Sequence, residues 1–254
     1  MPLSCIIGTH VCNFIRIDEF STAVAPFITP CKWSDSACAT KNAVDVLRTF
    51  AAGIPNLGVE NLESVYFDRV DASSHNLKFI ISDVTVDGLQ NCQALNVDTT
   101  NAGKIKLKLL CSVELNGQYE LLGKILILAL EGKGKIHVTL RKAEFDVDLE
   151  IITKKGKDGK DHWHVKRFHH KYELKDKSDV EFENLFEGKD ALSQAGSELI
   201  KTNGNDIVQE IGNPMIVAVV TRVIKNINHF FATVPLEDLV INYKNTVHSV
   251  TLNQ

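Results

Sequence analysis

Apolar residues first recur at three- and four-residue spacing from Ser36 onward. Val44, Leu47, Phe50 and Ala51 share a helical face, Asp35 or Ser36 stands at the cap, and Gly53-Ile54-Pro55 ends the run. From there to about Phe182 the period changes to two. Residues 104–115 place Ile105, Leu107, Leu109, Cys111, Val113 and Leu115 on one side, with Lys106, Lys108, Ser112 and Glu114 opposite. Asn116-Gly117 then predicts a type I′ hairpin turn. In the strand that follows, Ile125-Leu126-Ile127-Leu128-Ala129-Leu130 is apolar on both faces, which predicts cover from both sides. Gly132 and Gly134 predict a further turn. Ile136, Val138 and Leu140 occupy even positions but Phe145, Val147, Leu149 and Ile151 odd ones, so a bulge or sharp bend falls near 141–144. After a polar turn at 154–161, Trp163 and Val165 open a strand whose apolar parity flips at Phe168, Tyr172 and Leu174. Long strands with repeated face switches describe a strongly curved sheet that wraps around something.

The object wrapped is predicted to be the C-terminal segment. Leu185-Phe186-Glu187-Gly188 ends the sheet, and Ala191, Leu192, Ala195, Leu199 and Ile200 predict a short helix interrupted at Asn203-Gly204. Ile207, Val208, Ile211, Met215, Val219, Val223, Ile227, Phe230 and Phe231 then recur at helical spacing up to Val234-Pro235, on the order of 35 Å of helix. Pro214 either kinks this helix or starts a new first turn. Ile216, Val217, Ala218, Val220 and Ile224 fill its flanks, the mark of a helix buried inside its domain. No repeat or linker divides the chain. It reads as one elongated α+β domain over residues 26–254, after an atypical segment at 1–25.

Composition narrows the function. Of 254 residues, 44% are hydrophobic and 24% charged, as a globular chain requires. With 28 Lys+Arg against 32 Asp+Glu the net charge is −4, so no global field recruits nucleic acid or anionic lipid. Aromatics at 7% argue against a stacking platform for nucleotides or single-stranded nucleic acid. No stretch approaches the ~18–20 consecutive apolar residues of a membrane span. The chain carries no Gly-x-Ser-x-Gly, P-loop, dinucleotide or His-Glu-x-x-His motif, so no catalytic residue, cofactor or resident metal is expected. His162, His164, His169 and His170 lie among Lys160, Lys166, Arg167 and Lys171, whose charge opposes a metal, and read as a solvated edge strand. The lysine-rich turn at 154–160 reads as a solvated turn, with a basic contact patch as its alternative.

Six cysteines stand at positions 5, 12, 31, 38, 92 and 111, without any Cys-x-x-Cys spacing for zinc or redox work. Cys31 and Cys38 enclose a short polar loop that a disulfide would close. Cys92 and Cys111 flank a predicted hairpin around 99–103. Leu95 and Val97 mark the apolar face of its first strand and Cys111 lies on that of the second, so matched faces point the two thiols apart, and both are expected to be unpaired. Residues 1–15 are moderately apolar and Ala23-Val24-Ala25 resembles a signal cleavage site, yet no basic n-region precedes them. A truncated or mis-started signal and an atypical folded N-terminus are the two readings. No Asn-x-Ser/Thr acceptor occurs, so N-glycosylation is not expected.

Taken together, Pro30-Cys31-Lys32-Trp33-Ser34-Asp35 with Cys38, a helix, and Gly53-Ile54-Pro55-Asn56-Leu57-Gly58 resemble the opening of the insect haemolymph juvenile-hormone-binding and takeout-like proteins. Asp87-Gly88-Leu89, Gly132-Lys133-Gly134-Lys135-Ile136, Phe182-Glu183-Asn184-Leu185-Phe186 and Val234-Pro235-Leu236-Glu237-Asp238-Leu239 match in the same order, from Ala25 to Leu239. Because no cysteine follows Cys111, the second pair of the hormone-binding branch is missing, and the chain is more similar to the takeout-like branch. The resemblance implies a long curved antiparallel sheet around one long helix, an internal apolar tunnel, and a disulfide between Cys31 and Cys38. Candidate tunnel residues are Leu126, Leu128, Ile136, Val138 and Phe145 from the sheet. The helix would add Ile211, Met215, Val219, Val223, Ile227, Phe230 and Phe231, since Met adapts to irregular ligands and Phe offers large area. The function implied is a secreted, monomeric, non-catalytic carrier of a juvenile hormone-like terpenoid, fatty acyl chain or other lipid in haemolymph, with no nucleic acid or integral membrane as partner. The alternative is a lipid-transfer protein that docks on a membrane or receptor through its lysine-rich turn.

Overall fold

The computed structural model describes residues 23–185 and 190–241, apart from the side chains of Leu128 and of residues 190–195. Cys5, Cys12 and the apolar stretch at 1–15 lie outside the described residues, as do the side chains of Ala191, Leu192 and Ala195, whereas Ala23-Val24-Ala25 is described, with Ala25 buried. Helix α1 (Ser36–Ala52) begins where Asp35 accepts the Cys38 backbone N–H at 3.0 Å, the side-chain cap that satisfies one orphan donor of the first turn. Cys31 and Cys38 are bonded across this helix start.

Among the described residues, seven strands form one antiparallel sheet: β1 (Ser64–Asp71), β2 (Leu77–Asp87), β3 (Gln93–Asp98), β4 (Lys104–Ile125), β5 (Leu128–Lys155), β6 (Asp161–Leu174) and β7 (Asp179–Phe182). Its spine is the β4–β5 hairpin, whose 22 and 28 residues make strands roughly 70 and 90 Å long. Each spine strand has two outer neighbours in succession. β3 covers the first half of β4 and β2 the second, while β7 covers an early part of β5 and β6 the rest.

The spine overturns two predicted turns. Asn116-Gly117 does not turn the chain but lies inside β4, opposite His137 and Ile136, and the hairpin instead turns at Leu126-Ile127. Asn116 is paired on both flanks, with Thr85 of β2 and His137 of β5, and its Oδ1 lies 2.7 Å from His137 Nδ1. A side-chain Cβ at residue 117 would stand 3.1 Å from the Ser82 carbonyl oxygen, where β2 bulges inward, so the glycine serves close approach. Gly132 and Gly134 likewise stay within β5. A Cβ on Gly132 would meet the Tyr119 hydroxyl at 2.7 Å, and one on Gly134 the Glu183 carbonyl oxygen at 2.7 Å. The apolar run at 125–130 is correspondingly the hairpin end and not a strand covered on both sides; Ile127 is 86% exposed.

The two predicted face switches are bulges. Register shifts between β4 and β5 at Cys111/Val113, where Lys142 adopts φ +82°, and between β5 and β6 at Glu150/Ile151. Further shifts lie at Ser82/Thr85 in β2 and Ala94/Asn96 in β3. Each extra residue sharpens the local twist, and together they curl the sheet.

Helices α2 (Asp190–Thr202), α3 (Gly204–Ile211) and α4 (Asn213–Thr233) follow, with Pro214 in the first turn of α4, where its missing N–H costs nothing. α4 is less enclosed than its composition predicts. Asn213, Val217, Thr221 and Lys225 form a stripe at four-residue spacing that stays in water. By length and composition α4 could cross a bilayer, but here its apolar faces pack against the sheet. Asn226 and Asn228 fix its position: Asn226 Oδ1 accepts the Glu60 N–H at 2.7 Å, and Asn228 Oδ1 accepts the Val165 N–H at 2.8 Å beside the β6 bulge.

Candidate functional site

Alternation along β4 turns Leu107, Leu109, Cys111, Val113 and Leu115 to the same side, toward α4. On β5 the inward residues are Ile136, Val138 and Leu140 before the bulge and Phe145 and Val147 after it. The extra residue thus keeps one apolar face inward on both sides of the bend. α4 answers with Met215, Val219, Val223 and Ile227 and the neighbouring Ile216, Val220 and Ile224. α3 adds Ile207, Val208 and Ile211, and the end of α1 adds Leu47, Phe50 and Ala51.

These residues enclose a cavity of about 190 Å³. Among the described residues, none of the wall carries a charged or hydrogen-bonding side chain, and the side-chain heteroatoms there are the sulfurs of Cys92, Cys111 and Met215. An apolar cavity of ~150 Å³ already stays dry and admits a hydrocarbon, so this one has no claim on water. The wall runs along α4 from Gly212 to Ile227, about 22 Å at 1.5 Å per residue, which makes it elongated.

Different chemistry closes each end. At one, Trp33, Trp163, Phe231, Phe230 and Phe50 form a chain of ring contacts with centroids 5.3–6.1 Å apart. At the other, the buried Tyr119 and the half-buried Tyr172 tie down the cover. Tyr119 donates to the Glu183 carbonyl at 2.6 Å, and Tyr172 donates to the Val208 carbonyl of α3 at 3.3 Å. Burial raises both phenols above their ordinary range, that of Tyr119 to about 12 with the Glu183 charge adding to the effect.

Of the residues singled out from the sequence, Ile136, Val138, Phe145, Ile211, Met215, Val219, Val223 and Ile227 come together in the wall. Phe230 and Phe231 are not in the wall but stand behind it, in the aromatic chain that reaches the cavity at Phe50 and in one core with Val147 and Ile224 of the wall. Leu126 lies in the hairpin turn, 39% exposed and away from the wall. The side chain of Leu128 lies outside the described residues. Leu47, Phe50, Leu62 and Leu89 escaped the sequence reading, although Leu47 and Phe50 lay on the predicted apolar face of α1.

Cys92 and Cys111, expected apart, are bonded, with Cα atoms 4.2 Å apart, and both border the cavity. The bulge at Leu95 is the reason. Past it, Ala94 opposes Leu109 and Gln93 opposes Leu110, a register that brings position 92 to face Cys111. Leu95 is the bulged residue, 42% exposed, and not a marker of the inward face.

β6 is an edge strand and His169 is exposed, but His162 departs from the solvated expectation. His162 is buried, with Nδ1 2.8 Å from the Phe231 carbonyl and Nε2 3.1 Å from the Asp158 carboxylate, and so links the 154–160 turn to the end of α4. His164 is held below its usual value by burial and by Lys154. Among the described residues no three His, Cys, Asp or Glu side chains are grouped to hold a metal. Two surface clefts, of about 460 and 390 Å³, are more open and polar; one is bordered by Arg69, Glu120 and Lys133 and the other by Lys175, Asp176 and Asn205.

Known proteins resemble the chain over most of its length. The family model described as "Haemolymph juvenile hormone binding protein (JHBP)" matches residues 5–241. The "Circadian clock-controlled protein daywake" of Drosophila yakuba is 24% identical over 222 residues, covering 82% of this chain and 85% of that protein. The crystal structure of Epiphyas postvittana Takeout 1 superposes with a TM-score of 0.77 at 28% identity, covering 83% of this chain and 98% of the other.

Proposed function

The chain belongs to the haemolymph juvenile hormone binding protein family, on its takeout-like side, and from this we propose that it is a secreted, non-catalytic carrier of one small hydrophobic molecule held in the cavity between sheet and α4. The family is one of hydrophobic-ligand binders, and two disulfides suit an oxidising, extracellular setting. The observation that carries the proposal is the wall itself, elongated and, among its described residues, without a hydrogen-bonding side chain.

A wall of this kind selects by length and girth. It offers no hydrogen bond to an ester, an epoxide or a carboxylate, so any polar group of the guest must sit at an end. A fatty acyl or terpenoid chain that buries roughly 300–400 Å² gains about 8–10 kcal/mol at ~25 cal/mol per Å². After association costs, micromolar to nanomolar affinity follows without a charged anchor.

A second reading, membrane or receptor contact through the lysine-rich turn, is weaker on this geometry. Lys160 is paired with Glu237 at 2.6 Å and Lys155 with Asp161 at 2.8 Å, so part of the positive charge is already matched. Native mass spectrometry of protein expressed in insect cells, followed by titration with a fluorescent fatty acid, tests the carrier reading. We expect a co-purified lipid or saturable uptake at one site per chain. Neither a bound lipid nor any uptake would sink it.

A further inference from the structure

The β4–β5 hairpin ends in a turn that breaks the rules for such turns. Ile125 pairs with Leu128, so the loop is the two residues Leu126 and Ile127. Leu126 has φ +54°, at a position where two-residue loops ordinarily carry glycine because a branched side chain is strained there. Ile127 is 86% exposed, the highest value among the exposed large apolar residues described, and belongs to none of the hydrophobic clusters. The loop is thus strained at Leu126, and the Ile127 side chain beside it faces water without joining any core cluster. A local rule broken with no internal gain marks a functional position.

We propose that this turn is a lipid-docking tip, and that its partner is the surface of a zwitterionic phosphatidylcholine bilayer. The order of residues back from the tip favours lipid over protein. Leu126 and Ile127 come first, then the Ile125–Leu128 pair. Lys124, exposed, lies two residues behind Leu126, about 7 Å along the strand. The acidic side chains of the hairpin are set further back: Glu131 lies opposite Leu122, and Glu120, opposite Lys133, is paired with Lys78. Apolar side chains followed by a cation at that depth match the ~5–10 Å to which interfacial segments sink, with the ammonium at phosphate level.

One acid does stand at the turn. Glu210 Oε2 accepts the Leu126 N–H at 2.7 Å. Its charge offsets that of Lys124, which is why the partner is a zwitterionic surface and why docking should not depend on salt. The same hydrogen bond joins the tip to α3, whose Ile207, Val208 and Ile211 line the cavity. A docked tip would therefore place lipid beside that wall. Docking is independent of the carrier reading, because vesicle binding and ligand uptake are measured separately and either can fail alone.

The test is flotation of the full chain with vesicles of palmitoyl-oleoyl-phosphatidylcholine at about 0.05 and about 0.5 M NaCl. Binding should be equal at both salts. Ile127→Asp should lower the bound fraction about tenfold or more, as loss of one inserted isoleucine requires, with the thermal midpoint unchanged. Ile127→Trp should strengthen binding, since indole favours the interface. Val44→Asp, at another exposed apolar site (58%) on α1, should leave binding as it was. No binding by the parent, equal binding by Ile127→Asp, or an equal loss in Val44→Asp would each overturn the proposal. So would a parent dimer in sedimentation velocity that Ile127→Asp splits, since the occupant would then be a second copy.

Discussion

Tyr119 shows how one polar atom can hold a part of the fold that apolar patterning describes only as core. Its ring meets Phe182 edge-on at 4.8 Å, and its hydroxyl reaches over Gly132 to the Glu183 carbonyl. The hydrogen bond keeps the segment after β7 against the spine. Tyr119→Phe should cost about 1 kcal/mol at neutral pH, measured by urea unfolding. Its pH dependence is more specific. The phenol ionises near 10 when unfolded but at about 12 when folded, so its contribution is whole below pH 10 and is lost as pH rises from 10 toward 12. The gap in thermal midpoint between parent and variant should therefore narrow over that window; a gap that stays constant would place the hydroxyl in water. Nothing in the alternation pattern distinguished Tyr119 from its neighbours, because its partner lies 64 residues away.

At the scale of elements, the bulges decide both shape and covalent structure. The switches near 141–144 and at Lys166 were legible because apolar parity changes on either side of them. The β3 bulge was not, since Leu95 is apolar yet points outward, and one misassigned residue reversed the inferred direction of Cys92. The resulting disulfide closes a loop with a sequence separation of 19. By the chain-entropy argument a loop of that size is worth about 3 kcal/mol, so the double variant Cys92→Ala/Cys111→Ala should unfold at correspondingly lower urea. Alkylation of the denatured, unreduced protein checks the pairing directly. Label on Cys92 or Cys111 would refute it.

For the molecule as a whole, what matters is a gap between two layers that both look like core. The residues facing it belong to the same apolar stripes that elsewhere pack solidly, and Met215, near the start of α4, belongs to both the first core and the wall. Met215→Trp should fill part of the space and weaken fatty-acid uptake about tenfold or more, with at most ~1–3 kcal/mol lost to overpacking. Uptake equal to the parent's in a folded variant would exclude Met215 from the binding space.

The order of residues along the chain determined which face of the two spine strands turns inward, where that face switches in β5 and β6, and where α1 begins. These depend on neighbours a few positions apart, such as Asp35 beside Cys38. Tertiary structure alone decided that Asn116-Gly117 runs on as strand while Leu126-Ile127 turns, that Cys92 meets Cys111, and that sheet and α4 stand apart along the cavity. Each of those outcomes is set by register and spacing between segments distant in sequence. An apolar stripe has the same pattern whether it meets another side chain or a space left for a guest.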